Sequence, residues 1–570
     1  MAGECSVDGA VAEAEFALRI HRGEGMVLVA MNWKGGPPPA DFVGFALQYA
    51  EPGSSHYFDV KNRLTFDGNA GTTPSAGRPP NYSTMVAPIQ KFRWVHFPRN
   101  ADLPGDYSYR VTPVFMNPDG SLRYGTAQQA ALALARETYP GELNIAFTRG
   151  FVSSQAFVDY YGQSGPLDTL LPMNADDGMT FKATHPKAEE AYGWMGFEAR
   201  AAMMKLLDDA IADAGAQVGV VAFDFNLPEA VDRIKQLAGR VRVIIDNSDD
   251  HEGGAEDEAA KALEDAGIPV VRQAMGKLQH NKTIWVDGPT VQRVLCGSTN
   301  MSWRGLFVQS NNVMVVDGAA AVKVFKDAFE AYWSAPAGFP GTPAAGWQDL
   351  GLGDIDAKIT FSPHGKSNSV LAGIGADVAS ARSSLFYSLA FLAITPGVIR
   401  DAIAERSGHD SVFVAGISDA RAGVKVAVGS SNLPPTYVAV LDKNVPFPFR
   451  AEPTGLAGNV GTRMHHKFIV IDFDTPDARV YLGSYNMSKA ADGSNGDNVA
   501  LVRDRRVATS YMIEAVRMVD HYQFRAALKE RKASGAGKLT LKRPPAAGEE
   551  AWWARDWSDP RAIKDRELFA

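Results

Sequence analysis

The sequence predicts an α/β protein of two α-β-α lobes related by an internal pseudo-twofold, preceded by an all-β, sandwich-like N-terminal domain. Three observations predict it. The stretch Met464–Ser488 repeats the chemistry of Leu278–Ser302 almost position for position, so the chain carries one unit twice. Around each copy, short β-branched apolar runs alternate with amphipathic ones, the pattern of sheets layered with helices. Ahead of both copies, short alternating runs are separated by turn clusters, which is how antiparallel sandwiches read. The 570 residues divide accordingly into 1–140, 141–335, 336–535 and a tail, 536–570.

In the first segment EFALRI, MVLVAMNW, GFALQYA, HYFDV, IQKFRWVHF, YSYRVTPVFM and AALALARE read as strands, and GGPPPAD, PGSS and NPDG as turns. The spacing suits an immunoglobulin- or fibronectin-like sandwich. Such a fold names no function, and bracing of the remaining chain is its preferred role.

The first lobe opens with a strand at LNIAF and continues with a helix over 191–214, a strand QVGVVAFDF, a helix PEAVDRIKQLA, a strand VRVIIDN and a helix EAAKALEDAG. The first motif follows, and a helix VKVFKDAFEAYW closes the lobe. The run PAGFPGTPAAGW, 336–347, reads as a Pro/Gly-rich connection. Beyond it the order repeats: strand KITFSP, helix SVLAGIGADVASA, strand SLFYSLAFLA, helix PGVIRDAIAE, strand SVFVAGIS, second motif, and a helix over 511–528. SLAFLAITPGVIRDAI echoes VAFDFNLPEAVDRI, so the duplication exceeds the motif.

Each motif reads His-x-Lys, four residues, Asp, then Gly-Ser-x-Asn-Met-Ser: His280, Lys282, Asp287, Gly297, Ser298 and Asn300, then His465, Lys467, Asp472, Gly483, Ser484 and Asn486. Twelve residues beyond each asparagine stands another, Asn312 and Asn498. The apolar residues after His-x-Lys predict a strand, on which His and Lys share a face. A second strand ends at the glycine, which allows close backbone approach and places hydroxyl and amide nearby. An ammonium and neutral donors suit phosphate oxygens, and an imidazole can act as nucleophile or as acid and base near neutral pH. A lone His-x-Lys would be an ordinary strand edge, but the whole pattern occurs twice.

This doubled pattern resembles the phospholipase D superfamily, whose signature is His-x-Lys-x4-Asp with a downstream Gly-Ser-x-Asn. The flanking strand and helix pattern extends the resemblance over residues 141–528. It implies that the two motifs converge on one site, where one histidine attacks phosphorus and the other protonates the departing alcohol. The implied catalytic set is His280, Lys282, Asp287, His465, Lys467 and Asp472. Ser298, Asn300, Ser484 and Asn486, with Asn311 and Asp497, would bind the phosphate or support the set. In that family a carboxylate before the second asparagine commonly holds a catalytic histidine; here it is Asp497 in one copy and Asn311 in the other, and which histidine each reaches stays open. By the same analogy His280 is the nucleophile and His465 the acid. No metal or other cofactor is implied.

The substrate readings, in order, are a phospholipase D hydrolysing glycerophospholipids, a metal-independent nuclease on DNA or RNA, and a phosphatidyltransferase. Intact copies of every signature residue oppose a non-catalytic binding protein. The net charge of −8 is a weak vote against a nucleic-acid-coated surface. No basic leader with an apolar core and no membrane-length apolar run is present, so a soluble, cytoplasmic monomer with an intramolecular site is expected. Cys5 and Cys296 form no disulfide framework, and Cys296 reads as a buried thiol. The acidic run with Asp246, Asp249, Asp250, His251 and Glu252 lacks the spacing of a calcium loop and reads as a helix start. His364 and Lys366 read as a loop. In the tail, Lys529, Arg531, Lys532, Lys538, Lys542 and Arg543 read as solvated charge, and Trp552, Trp553 and Trp557 as docking residues rather than a lipid anchor.

Overall fold

The computed structural model describes residues 5–67, 81–134, 137–150, 157, 160–249, 251–392, 395–418, 436–437, 464–534 and 539–570. Two antiparallel sheets come first. One orders Ser6–Asp8, Phe16–Arg22, Val27–Trp33 and Arg93–His96; the other orders Leu122–Tyr124, Asp106–Met116, Phe42–Ala50 and Phe58–Asp59, with Gln128–Ala133 also on Asp106–Met116. Alternate residues of both, such as Phe16, Leu18, Phe45, Leu47 and Tyr109, share one buried cluster. Trp552, Trp553 and Trp557 pack against that cluster, and the Trp552 indole N–H donates to the Phe42 carbonyl at 3.0 Å. The tail then ends in the helix Pro560–Phe569, whose Phe569 ring lies among Phe386, Phe413 and Phe473 of a distant sheet. Burial of these rings ties the first sheets to the last. Arg543 and Lys542 also dock, on the Asp67 carbonyl and on Gln90; the side chains of Lys529, Arg531, Lys532 and Lys538 lie outside the described residues.

The remaining chain forms two mixed sheets with the same strand order. The first runs Leu143–Phe147, Asn312–Asp317, Gln292–Gly297, Thr283–Asp287, Gln217–Ala222, Val241–Asp246, Val270–Gln273. The second runs Asp356–Phe361, Asn498–Arg503, Arg479–Gly483, Lys467–Ile471, Ser384–Leu389, Phe413–Ser418, Thr436–Tyr437, with Gln348–Asp349 added at its first edge. In each, two parallel pairings of apolar strands join an antiparallel run that carries a motif. Helices cover the sheets: Ala188–Ala212 lies on Leu143–Phe147 and Ala319–Ser334 on the motif strands of the first, and Arg505–Ser534 lies on the second. Among the described residues, no helix is long and apolar enough to cross a membrane.

The two sheets meet through matching contacts. Phe325, on the helix Ala319–Ser334, packs edge-on against Phe361 of the second sheet at 5.3 Å; Tyr511, on Arg505–Ser534, packs edge-on against Phe147 of the first at 5.1 Å. Single parallel bridges join Gln279 to Gly496 and Ser310 to Met464, each beside a motif histidine. One apolar cluster runs through both sheets, so the halves are packed as one body.

Several elements depart from the sequence reading. The strands Val270–Gln273 and Asn312–Asp317 and the one-turn helices Trp303–Phe307 and Lys489–Gly493 went unpredicted. Those short helices are capped by the last motif serines, since Ser302 accepts from Gly305 N and Ser488 from Ala491 N. The 336–347 run is not an open connection: Pro336–Gly341 and Pro343–Ala345 are 3-10 turns, and Phe339 stacks on Tyr332 at 4.0 Å.

Asp287 and Asp472 sit at the far ends of their strands from the histidines. Five residues of strand separate Lys282 from Asp287, about 16 Å. Asp287, one third exposed, pairs with Lys326 at 2.7 Å. Asp472 is buried at φ 52° and accepts from the backbone N–H groups of Arg382, Ser383 and Ser384 at 2.8–3.1 Å. Both carboxylates, expected in the catalytic set, thus hold strand ends away from the histidines. Asp287→Asn should cost under about 1 kcal/mol, as an exposed pair does. Asp472→Ala strands three backbone donors, that of Ser384 buried, and should cost about 1–3 kcal/mol, read from the urea midpoint. For Asp287→Asn, kcat should stay within about threefold of the parent; a thousandfold loss without unfolding would return it to the chemistry.

Candidate active site

The motif strands bring both histidines to one place, with ring centroids 6.3 Å apart. Each is oriented by the opposite half of the chain. His280 Nδ1 lies 2.7 Å from Asp497 Oδ1, and His465 Nδ1 lies 2.9 Å from Asn311 Oδ1 and 3.0 Å from the Ser298 carbonyl. Facing only acceptors, both Nδ1 atoms carry the proton, which leaves Nε2 of each ring for a substrate. Among the described residues nothing bonds either Nε2.

The orienting groups are themselves fixed. Ser484 Oγ donates to Asp497 Oδ1 at 2.7 Å and Ser298 Oγ to Asn311 Oδ1 at 2.8 Å. The Asn311 amide also donates to the Gly305 carbonyl at 2.8 Å, which settles which way it faces. The preceding glycines make this approach feasible. Gly297 and Gly483 have φ near +146° and +145°, and a Cβ on either would stand 2.3 Å from the next strand's carbonyl oxygen, that of Asn312 or Asn498. Of the two tasks expected of the serines, phosphate binding or support, these bonds serve support of the histidines.

Lys282 and Lys467 are both buried. Each ammonium donates to the carbonyl of its own motif's histidine and lies over an aromatic ring, Phe223 at 4.5 Å and Phe391 at 6.0 Å. Burial pushes the Lys282 ammonium down to about 8, against the pull of Asp497 and Asp224. Burial and Lys282 also hold His280 below its ordinary value, with Asp497 drawing it back up. His465 lies well below, for burial and both lysines act on it and a backbone bond to Ser298 is what favours its charge. The carboxylate-backed imidazole is the more basic of the two, as a charge-assisted partner requires.

The two motif asparagines differ. Asn300 donates to Asp224 at 2.5 Å, whereas Asn486 makes no side-chain hydrogen bond among the described residues. Asp224 and Phe223 were not singled out from sequence, although the echo between VAFDF and LAFLA placed Leu392 against Asp224. His251, read as part of an acidic run, bridges Asp224 at 3.1 Å and Asp246 at 2.8 Å. Although burial opposes its charge, the two carboxylates push it up to about 10. His364 is a buried clamp between Thr360 and Asp492, and Lys366 is exposed. Among the described residues no group of three or more His, Cys, Asp or Glu is placed to hold a metal ion. Asp250 lies outside the described residues.

Residues 207–333 match the family model "cardiolipin synthase, PLD-like domain". A search of curated protein sequences finds no match. Among solved structures, the chain is similar to a polyphosphate kinase of Porphyromonas gingivalis, at 11% identity and TM-score 0.37 over 64% of this chain and 51% of that one, so it spans about half of that kinase. It is also similar to a phosphatidylserine synthase of Haemophilus influenzae, at 13% identity and TM-score 0.39 over 65% and 93%. A third likeness is to Nuc, a phospholipase D family member of Salmonella typhimurium, at 24% identity and TM-score 0.21 over 24% and 86%. The first motif lies inside the region that matches the PLD-like family model, and the second motif faces it across the same site.

Proposed function

We propose that the protein is a phosphodiesterase that works through a phosphohistidine, and that its substrates are glycerophospholipids, cleaved to phosphatidate and a head-group alcohol. The observation that carries the chemistry is the pair of imidazoles with bare Nε2 atoms, each held by the other half of the chain. We read the halves as one catalytic unit with an internal pseudo-twofold. A phosphorus atom between the rings meets a nucleophile on one side and a proton donor on the other, the geometry of an in-line displacement.

The asymmetry of the supports assigns the roles. Asp497 fixes the Nδ1–H tautomer of His280 and stabilises the positive charge that appears there when Nε2 attacks phosphorus. The P–O bond to the alcohol breaks, and His465 Nε2–H gives that oxygen its proton. A water then delivers its proton to His465 and its oxygen to phosphorus, which frees His280. Lys282 and Lys467 supply fixed positive charge for the phosphoryl oxygens, in a site where burial magnifies it. His465 is held neutral in the empty site by burial and the lysines. An anionic phosphodiester offsets those lysines and raises its basicity, so the acid is charged as substrate binds. The lipid reading is supported by the phospholipid enzyme named in the family model's description and by the net charge of −8. Nuclease and phosphatidyltransferase activities are the next readings.

Release of head group from phospholipid vesicles, run beside cleavage of labelled DNA and RNA, tests the substrate. Head-group release without nucleic-acid cleavage is expected; the reverse would select the nuclease. Imidazoles and lysines supply nucleophile, acid and charge, so turnover should persist in excess chelator, and loss restored by a divalent ion would contradict this. Either His280→Ala or His465→Ala alone should lower kcat by about a thousandfold or more. The pH profile has a definite sign. His280 must be neutral to attack, so Asp497→Asn, which removes the group raising its pKa, should lower kcat and move the acid limb to lower pH. His465 must be charged to donate, so Asn311→Asp should move the alkaline limb to higher pH with a milder loss. Unmoved limbs in both variants would remove the assignment.

A further inference from the structure

One wall of the site carries a carboxylate whose part in the proposed chemistry so far is only to help keep Lys282 charged. Phe223 follows the strand Gln217–Ala222; its ring lies 4.7 Å from His280 and 4.5 Å from the Lys282 ammonium. The next residue is Asp224. One of its oxygens accepts from His251 Nε2 at 3.1 Å and the other from Asn300 Nδ2 at 2.5 Å. Two fixed donors lock the carboxylate in place, yet each oxygen keeps a further lone pair.

The carboxylate is not needed as a counter-ion alone. Asp246 is wholly buried, 2.8 Å from His251 Nδ1, and already balances that imidazolium, whereas the Asp224 side chain is 29% exposed. Nor does the wall itself demand an acid. In the second half Phe391 lies over Lys467 as Phe223 does over Lys282, and the residue after it is the buried Leu392. The matching strand end folds with an apolar side chain there. Asp224 is thus an added group, tied directly to the motif asparagine Asn300.

An added carboxylate beside an anionic phosphodiester works against binding unless the substrate brings something for it to accept. We propose that Asp224 determines specificity: its carboxylate receives a hydroxyl or ammonium donor carried by one alcohol of the substrate phosphodiester. This rests on the phosphodiesterase reading and narrows it to diesters with a hydrogen-bond donor close to the phosphate, the chemistry of small polar head groups. A polyanionic backbone meets repulsion at the same place. His251, charged because burial is outweighed by its two carboxylates, keeps Asp224 ionised and aimed.

The test uses p-nitrophenyl phosphodiesters whose second alcohol is 2-aminoethanol, glycerol or methanol, so that one leaving group serves an ammonium, a hydroxyl and no donor. The full-length enzyme should show kcat/KM higher for the first two than for the methyl ester by about tenfold, mostly in KM, as a hydrogen bond to a charged partner would give. In Asp224→Asn and in Asp224→Ser that ratio should fall to within about threefold of one. A residue that merely supports the fold would lower all three esters together and leave the ratio intact, which overturns the proposal. So does a wild-type enzyme that cleaves the three esters equally. Wild-type enzyme that cleaves none of them, nor any phospholipid, overturns the phosphodiesterase reading and this proposal with it.

Discussion

Neither imidazole of the central pair is oriented by its own half of the chain. Asp497 reaches from the second half to His280, and Asn311 from the first half to His465. This exchange places demands on everything around it. The strands that begin at Asn312 and Asn498 must pass within van der Waals contact of Gly297 and Gly483, where a side chain would collide with a carbonyl. The bridges from Gln279 to Gly496 and from Ser310 to Met464 must hold the halves in register, and Phe325 and Tyr511 must each pack on a strand of the opposite sheet. The site is a property of the docked pair of sheets, so the apolar cluster they share also preorganises the chemistry.

Burial sets the electrostatics. Two lysines and two histidines are gathered out of water, and the carboxylate that bonds one of the imidazoles directly, Asp497, has no counterpart at the other. Such a site gains most where the charge of a bound anion grows during displacement. Replacing a carboxylate by an amide at one of two otherwise equivalent positions separates the basicity of two chemically identical side chains. A symmetric pair would have to break that equivalence by other means. At the periphery, Asp224 returns one negative charge to the first half at a place where the second has leucine, a further departure from symmetry in the same site.

The repeated motif made the partners of the site legible, because a doubled spacing survives without knowledge of the fold. Even Asn311 and Asp497 could be picked out by their distance from the motif. Their targets could not, since a contact between halves has no signature within either. The motif aspartates misled for the opposite reason: Asp287 and Asp472 keep their spacing because strand ends need them, not because they touch the imidazoles. Ser298 and Ser484 were found with two tasks left open, for a hydroxyl that orients a neighbour reads the same as one that binds phosphate. Val270–Gln273 escaped notice as a strand because its four residues, three half-buried and Gln273 buried, show no clear alternation. Asp224 was visible only as a mismatch between two echoing stretches, and became meaningful once Phe223 and Phe391 were seen beneath matching lysines.

The account turns on His280, backed by Asp497, being the nucleophile. Rapid quenching of the enzyme during turnover of a phosphorus-labelled diester, followed by peptide mapping under alkaline conditions that preserve phosphohistidine, locates the covalent intermediate. Label on His280 is the predicted result, more abundant in His465→Asn when the diester carries a p-nitrophenyl leaving group, which departs without the acid so that the second step alone is slowed. Label on His465 would contradict the assignment of roles, and a competent single-turnover reaction with no label on either histidine would contradict the covalent mechanism itself.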